Sequence, residues 1–240
     1  SSCMEGAHQL CGTVKPTIVG SNGGFANRLR SHWAWAVSLP EGLDPALAGP
    51  LFCAGSTVFS PLLDFDVKPT DKVGVVGIGG LGHLALGFLN AWGCEVTAFT
   101  SSLNKQEEAK RLGAHNVVAS TDSNALKAMA ASLDFLLVTA SADLDWTAMI
   151  GTLRGKGRLH FVGIVPSAIP VHVFNLIPQQ KSLSGSPVGS PSSMATMLEF
   201  CARHNIVPQV EHFPMSKVND AIDHLRSGKA RYRVVLDASK

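Results

Sequence analysis

Gly77-Ile78-Gly79-Gly80-Leu81-Gly82 has the spacing G-x-G-x-x-G, the pattern of residues here that points most directly to chemistry. Alone the pattern is weak, and it gains meaning only between a strand and a helix. Both are predicted. Val73-Gly74-Val75-Val76 is a short apolar run, and Leu84, Ala85, Phe88, Leu89 and Trp92 recur at helical spacing after the glycines. In that setting Gly77 makes the tight turn, Gly79 lets the backbone approach a pyrophosphate, and Gly82 lets helix and strand pack closely. The phosphates would rest on the backbone of Gly77–Gly82, with Gly80 and Leu81 at the helix N-terminus, whose free N–H groups and dipole favour anions. The alternative is a glycine-rich turn that holds no ligand.

The next informative position lies about 20 residues past the glycines, where an acidic side chain would bind the ribose 2′-hydroxyl of NAD. The sequence there reads Phe99-Thr100-Ser101-Ser102-Leu103-Asn104-Lys105, with no carboxylate. Thr100, Ser101, Ser102 and Lys105 offer hydroxyls and a positive charge suited to a 2′-phosphate. This favours NADP(H) over NAD. Capping of a helix by Ser102 or Asn104, with Lys105 in solvent, is the simpler account, and capping is compatible with phosphate contact.

These groups need a scaffold, and residues 70–186 supply one. After the first strand come apolar runs at Glu95–Phe99, Val117–Val118, Phe135–Val138 and Leu159–Val162. Helical patterns separate them: one opening at Asn104 with Glu107 three residues on, one near 123–131, and one containing Trp146 and Leu153. Such alternation is the mark of βαβ units and a doubly wound parallel sheet. On either side the pattern changes. Leu29, Trp33, Trp35, Val37 and Leu39 read as short half-buried strands. The C-terminal stretch predicts a helix near 192–203, a helix capped by Ser216 with Val218, Ala221, Ile222 and Leu225 inward and stopped by Gly228, and a strand at Tyr232–Leu236.

Composition fits a globular chain. The 240 residues are 45% apolar and 16% charged, which argues against disorder. A net charge of +2 gives no electrostatic reason to expect nucleic acid or an anionic membrane as partner. No apolar run approaches the roughly 20 residues of a membrane span, and the first residues lack the pattern of a signal peptide. Five cysteines, at 3, 11, 53, 94 and 201, are too few for a disulfide scaffold and suggest reduced thiols or metal ligands in a cytoplasmic protein. Cys94 and Cys201 read as core, and His83 as a packing residue at a helix start.

The segment AGPLFCAGSTVFSPL around Cys53 and Thr57, GIGGLGH at 77–83 and the closing KARYRVVLD resemble the zinc-dependent medium-chain alcohol dehydrogenases, in their cinnamyl-alcohol-dehydrogenase-like, NADP-dependent aldehyde reductase branch. The resemblance covers essentially the whole chain. It implies an α/β fold: a doubly wound parallel (Rossmann) sheet over 58–187, with parts of a mostly β, GroES-like catalytic domain at 1–57 and 188–240. It makes Cys53 the last cysteine ligand of a catalytic zinc and sets Thr57 beside the nicotinamide. Thr139, Val162, Gly163 and Ile164 would hold the nicotinamide half, and the backbone of Ser184-Gly185-Ser186 would meet its carboxamide. Arg231 resembles a cofactor contact from the second domain, although pairing of Lys229, Arg231 and Arg233 with a helix dipole is a simpler account. Cys3 and Cys11 match two of the four cysteines of a structural-zinc lobe. The lobe's first two cysteines and the other catalytic ligands (a cysteine, a histidine and a glutamate) would precede this sequence, and none of the nine histidines has the spacing of a replacement. Cys53 could instead be a small buried hydrophobe.

The function this implies is interconversion of aldehydes and primary alcohols by hydride transfer with NADP(H), with zinc as Lewis acid. A zinc-independent quinone or enone reductase of the same superfamily and a nucleotide-binding chain without turnover are the alternatives. The expected partners are a small-molecule aldehyde or alcohol and a second copy of the chain, paired through edge strands at Val171–Phe174 and Lys181–Ser186.

Overall fold

The structure, a computed structural model, describes residues 2–20, 23–26 and 28–238. In chain order the regular elements are helices α1 (Pro45–Ala48) and α2 (Ala54–Asp64), strand β1 (Lys72–Val76), helix α3 (Gly82–Trp92), strand β2 (Glu95–Thr100), helix α4 (Gln106–Arg111), strand β3 (Asn116–Ala119) and helix α5 (Ser123–Ala128). There follow β4 (Leu133–Val138), α6 (Trp146–Gly151), β5 (Leu153–Phe161), β6 (Ser182–Gly185), α7 (Pro191–His204), β7 (Val210–Pro214), α8 (Val218–Arg226) and β8 (Arg233–Asp237). They fall into two units, Thr57–Pro187 and the pair Ser1–Ser56 with Val188–Lys240.

In the first of these units six strands form a parallel sheet in the order β3-β2-β1-β4-β5-β6. The order turns back between β1 and β4, where a doubly wound sheet opens a crevice at the carboxyl ends of its strands. Val73–Val76, Val96–Thr100 and Phe135–Val138 are buried without a break, as strands covered on both faces must be. One face packs Val76, Phe99, Leu136, Val138 and Leu159 against Leu126 of α5 and Trp146, Met149 and Ile150 of α6. Toward the other lies Phe65, 6.2 Å from Phe135. On α3, Phe88 is fully buried edge-on against Phe59 of α2 at 5.2 Å. Burying a side chain of that size contributes about 2–3 kcal/mol.

The second unit holds β7 and β8 as a parallel pair, with α8 packed on both. Gly189 N–H donates to the Ser56 hydroxyl at 3.1 Å. Glu211 on β7 takes the Arg231 N–H at 2.6 Å and meets His224 of α8 at 2.5 Å.

Several local expectations are corrected. Among the described residues of 1–57 there is no strand: Trp33–Trp35 is a 3-10 turn and Trp33 is 81% exposed. An alternating segment becomes a strand only beside another edge, and the described residues bring none to it. Leu153 opens β5 rather than ending a helix, and Val173–Asn175 is a 3-10 turn, not an edge strand. Ser216 lies within a 3-10 turn and does not cap α8, and Leu225 faces solvent. The turn before α4 is capped by Ser102 in place of Asn104.

Candidate functional site

The register of the sheet sets one row of residues side by side. Phe99, Val76, Val138, Phe161 and Gly185 are successive partners across β2, β1, β4, β5 and β6. The residues that follow them in the chain, Thr100, Gly77, Thr139, Val162 and Ser186, therefore line the carboxyl edge of the sheet. They come from five separate stretches of sequence.

At the centre of that row the glycines divide into two kinds. Gly77 has φ +91°, and a Cβ there would strike Ala140 at 2.8 Å. A Cβ on Gly82 would come within 1.9 Å of the Gly77 carbonyl oxygen, so strand and helix meet only because that atom is missing. Gly79 is different. A Cβ there meets nothing within 4 Å, so no group of the chain requires a glycine at this position. Open space over the backbone at the opening of α3, flanked by two glycines the fold does require, fits the approach of a pyrophosphate. His83 is buried with Nδ1 2.9 Å from the Gly79 carbonyl, a packing role within the helix start.

At the end of β2, Thr100 is buried, Ser101 is exposed, and Ser102 and Lys105 are half-buried. Ser102 Oγ accepts the Asn104 N–H at 3.3 Å, and the Thr100 hydroxyl donates to the Ser102 carbonyl at 3.3 Å. The bend places this segment directly beside the glycine turn, since Gly77 N–H donates to the Phe99 carbonyl at 2.9 Å.

On the other side of the turn, the N–H groups of Val162 and Gly163 both donate to the Val138 carbonyl, at 3.0 and 2.9 Å. A Cβ on Gly163 would lie 2.6 Å from the Ala140 carbonyl. Ile164 is 84% exposed. Ser184 and Ser186 are half-buried and Gly185 is exposed. Between them stands a residue that sequence reasoning missed. His160 on β5 is fully buried, with Nδ1 2.9 Å from Ser184 Oγ and Nε2 2.9 Å from Ser186 Oγ. Burial, helped by the Arg158 charge, pushes its pKa down to about 4, so the ring is neutral. A histidine interrupting the apolar run Leu159–Val162 was the available signal.

The remaining candidates belong to the other unit, Thr57 excepted. Thr57 is 8% exposed in the first turn of α2. Cys53, just before α2, is exposed, which removes the reading of it as a buried hydrophobe. Arg231 is exposed, and its guanidinium reaches the Ala230 carbonyl at 3.3 Å. Cys3 and Cys11 come together: a hydrogen bond with Cys11 raises the Cys3 pKa, and the Thr13 hydroxyl, 3.3 Å from Cys11 Sγ, lowers that of Cys11. Among the described residues no three His, Cys, Asp or Glu side chains could together hold a metal ion. Two thiols at one place and one at another do not make the four-ligand structural set or the three-ligand catalytic set that zinc takes. Cys94 and Cys201 are core residues whose thiols burial pushes up to about 12.

The sheet order and the glycine turn define a doubly wound, dinucleotide-type α/β fold. Residues 80–203 match the family model described as zinc-binding dehydrogenase. The chain is 53% identical over 239 residues to the aldehyde reductase AdhA of Synechocystis, covering 100% of this chain and 71% of that protein. Among solved structures it is similar to the cinnamyl alcohol dehydrogenase SbCAD4 of Sorghum bicolor, with 37% identity and a TM-score of 0.80, and to a cinnamyl alcohol dehydrogenase of Helicobacter pylori complexed with NADP(H), with 30% identity and a TM-score of 0.75. Each alignment covers 85% of this chain and 58% of the other. The chain belongs to the zinc-binding dehydrogenase family. Among the described residues no single helix is long and apolar enough to cross a membrane.

Proposed function

We propose that the chain belongs to an oxidoreductase that interconverts aldehydes and primary alcohols by hydride transfer with NADP(H). The observation that carries this reading is the row Thr100, Gly77, Thr139, Val162 and Ser186 at the carboxyl edge of the sheet, centred on a glycine turn whose middle glycine faces open space. The aldehyde reductase of Synechocystis and the cinnamyl alcohol dehydrogenase of sorghum support the substrate class, and the Helicobacter complex supports the cofactor.

In this reading the N–H groups of Gly79, Gly80 and Leu81 receive the pyrophosphate. Ser101, Ser102 and Lys105 receive the 2′-phosphate, with Thr100 bracing the bend beneath them. Thr139, Val162, Gly163 and Ile164 hold the nicotinamide half, and the Ser184–Ser186 backbone meets its carboxamide. Thr57 is a further member of the site by resemblance. The nicotinamide, when bound, supplies or accepts the hydride. The residues of this chain orient it and exclude water. The described residues do not assemble the ligand set of a zinc ion.

A second copy of the chain is part of the proposal. β6 ends the sheet with its outer edge unpaired among the described strands, and Val173, Phe174 and Ile177, in the segment that leads into it, are 59%, 70% and 67% exposed. Edge-to-edge pairing across a two-fold axis would cover both. Light scattering at twice the monomer mass is the expected result, and a monomer would end this part of the reading.

The test of the function is a fluorescence titration with NADPH and NADH, followed by absorbance at 340 nm with an aliphatic and an aromatic aldehyde. Preferred binding of NADPH and aldehyde-dependent loss of its absorbance are expected. Binding of neither dinucleotide would refute the proposal.

A further inference from the structure

Four polar groups run in sequence through the carboxyl end of β5 and β6. Arg158 Nη1 donates to Ser184 Oγ at 3.2 Å, Ser184 Oγ lies 2.9 Å from His160 Nδ1, and His160 Nε2 lies 2.9 Å from Ser186 Oγ. The arrangement is costly. His160 is fully buried, its ring 4.9 Å from Phe65 and 6.0 Å from Phe135, and the Arg158 guanidinium lies over the Phe65 ring at 4.2 Å. An apolar side chain at 160 would fill the space between these rings without any desolvation cost.

Arg158 favours one of the two directions open to these hydrogen bonds. An arginine only donates, so Ser184 Oγ spends a lone pair on Arg158. A neutral imidazole carries one donor and one acceptor. Ser184 can then give its own proton to Nδ1, which leaves the proton on Nε2 for Ser186 Oγ. The Ser186 hydroxyl, one residue past the end of β6, keeps its own proton for an outside acceptor. The chain thus ends at the segment whose backbone the proposed function sets against the carboxamide of the cofactor.

We infer that His160 is a positioning residue for the nicotinamide half of the cofactor: through its bonds to Ser184 and Ser186 it fixes the Ser184-Gly185-Ser186 segment and the direction of the Ser186 hydroxyl. The inference rests on the proposed dinucleotide site. It separates His160 from a plain staple between two strands, because a staple would serve the whole fold and not one end of a ligand.

The experiment compares two ligands, NADPH and adenosine 2′,5′-bisphosphate, the second lacking the nicotinamide half. His160→Leu and Ser186→Ala are expected to raise the Kd for NADPH about tenfold while leaving that for the bisphosphate within about twofold, the pattern of a lost or misdirected hydrogen bond at one end only. His160→Gln, whose amide has both a donor and an acceptor, is expected to recover part of the loss. Unchanged NADPH affinity in the variants would overturn the inference and leave the proposed function standing. Equal loss of both ligands would reduce His160 to a staple and also overturn it. A wild-type chain that binds neither ligand would remove the proposed function and this inference together. Should His160→Leu fail to fold, Ser186→Ala, which alters a half-buried hydroxyl at a strand end, decides between these outcomes.

Discussion

The Thr139 hydroxyl lies 2.8 Å from the Gly77 carbonyl oxygen and 2.9 Å from that of Val76. A side chain at the end of β4 thus holds the turn at the end of β1, across the point where the strand order reverses. Val76 keeps a second partner, the Thr139 N–H at 3.0 Å. The Gly77 carbonyl is the group that depends on the hydroxyl.

Thr139→Val keeps the shape and removes that bond. We expect a stability loss of about 1 kcal/mol in urea unfolding, the ordinary net worth of one such hydrogen bond. NADPH binding should weaken severalfold, since the turn proposed to receive its pyrophosphate loses its brace. A variant as stable as wild type would show that the hydroxyl contact does not tension the turn.

Gly79 and Gly82 should respond in opposite ways to the same substitution. Gly82→Ala drives a Cβ to 1.9 Å from the Gly77 carbonyl, and backbone must move. Overpacking of this kind costs about 1–3 kcal/mol, so melting temperature and NADPH affinity should both fall. Gly79→Ala meets nothing within 4 Å. Its melting temperature should stay near that of wild type while the Kd for NADPH rises tenfold or more, because the added methyl would occupy the place proposed for the phosphates. Normal NADPH binding by Gly79→Ala would move the pyrophosphate away from this turn.

In the proposed site, Lys105 and Ser101 would set the preference for NADPH over NADH. Lys105 is half-buried and Ser101 exposed beside it, and the cap of the following turn is made by Ser102. Lys105→Ala should therefore leave folding intact and raise the Kd for NADPH about tenfold, the loss of one charge-assisted bond to phosphate. The Kd for NADH should not change. Equal effects on both dinucleotides would place Lys105 on a phosphate they share.

What was legible in the sequence was whatever the backbone alone determines. Gly77 and Gly82 are required by a positive φ and by a contact no side chain could survive, and the buried strands read as unbroken apolar runs. The helix α2 was not legible, since Pro61 stands inside it and withholds an N–H from the Thr57 carbonyl. The start of β5 was hidden for a similar reason. Gly155 and Gly157 flank Lys156 at φ +65°, and the register with β4 shifts there, so no alternation survives over Leu153–Gly157. The parallel pair β7 and β8 is joined by residues more than 20 apart, and β7, VEHFP, is too polar to read as a strand without its partner. His160 depends on two serines that meet it only through sheet pairing, and its spacing to them along the chain carries no signal.

His160 also sets an acid limb on stability. The ring is held neutral by burial and by the Arg158 charge, its pKa about 4 in the fold against an ordinary value of 6.5. The unfolded chain therefore binds a proton that the folded chain refuses at any pH between those values. Stability contributed in this way is fully present above pH 6.5 and is lost as the pH falls toward 4. At 1.36 kcal/mol per unit, the whole drop is worth about 3 kcal/mol. His160→Gln, which cannot take the proton, should be less stable than wild type at pH 7.5 yet lose less stability on acidification. Urea unfolding of both proteins at pH 7.5, 5.5 and 4.5 measures this as a narrowing gap. Parallel curves would mean that the imidazole is solvated enough to ionise within the folded protein, and the directed chain from Arg158 to Ser186 would then not hold a single proton arrangement.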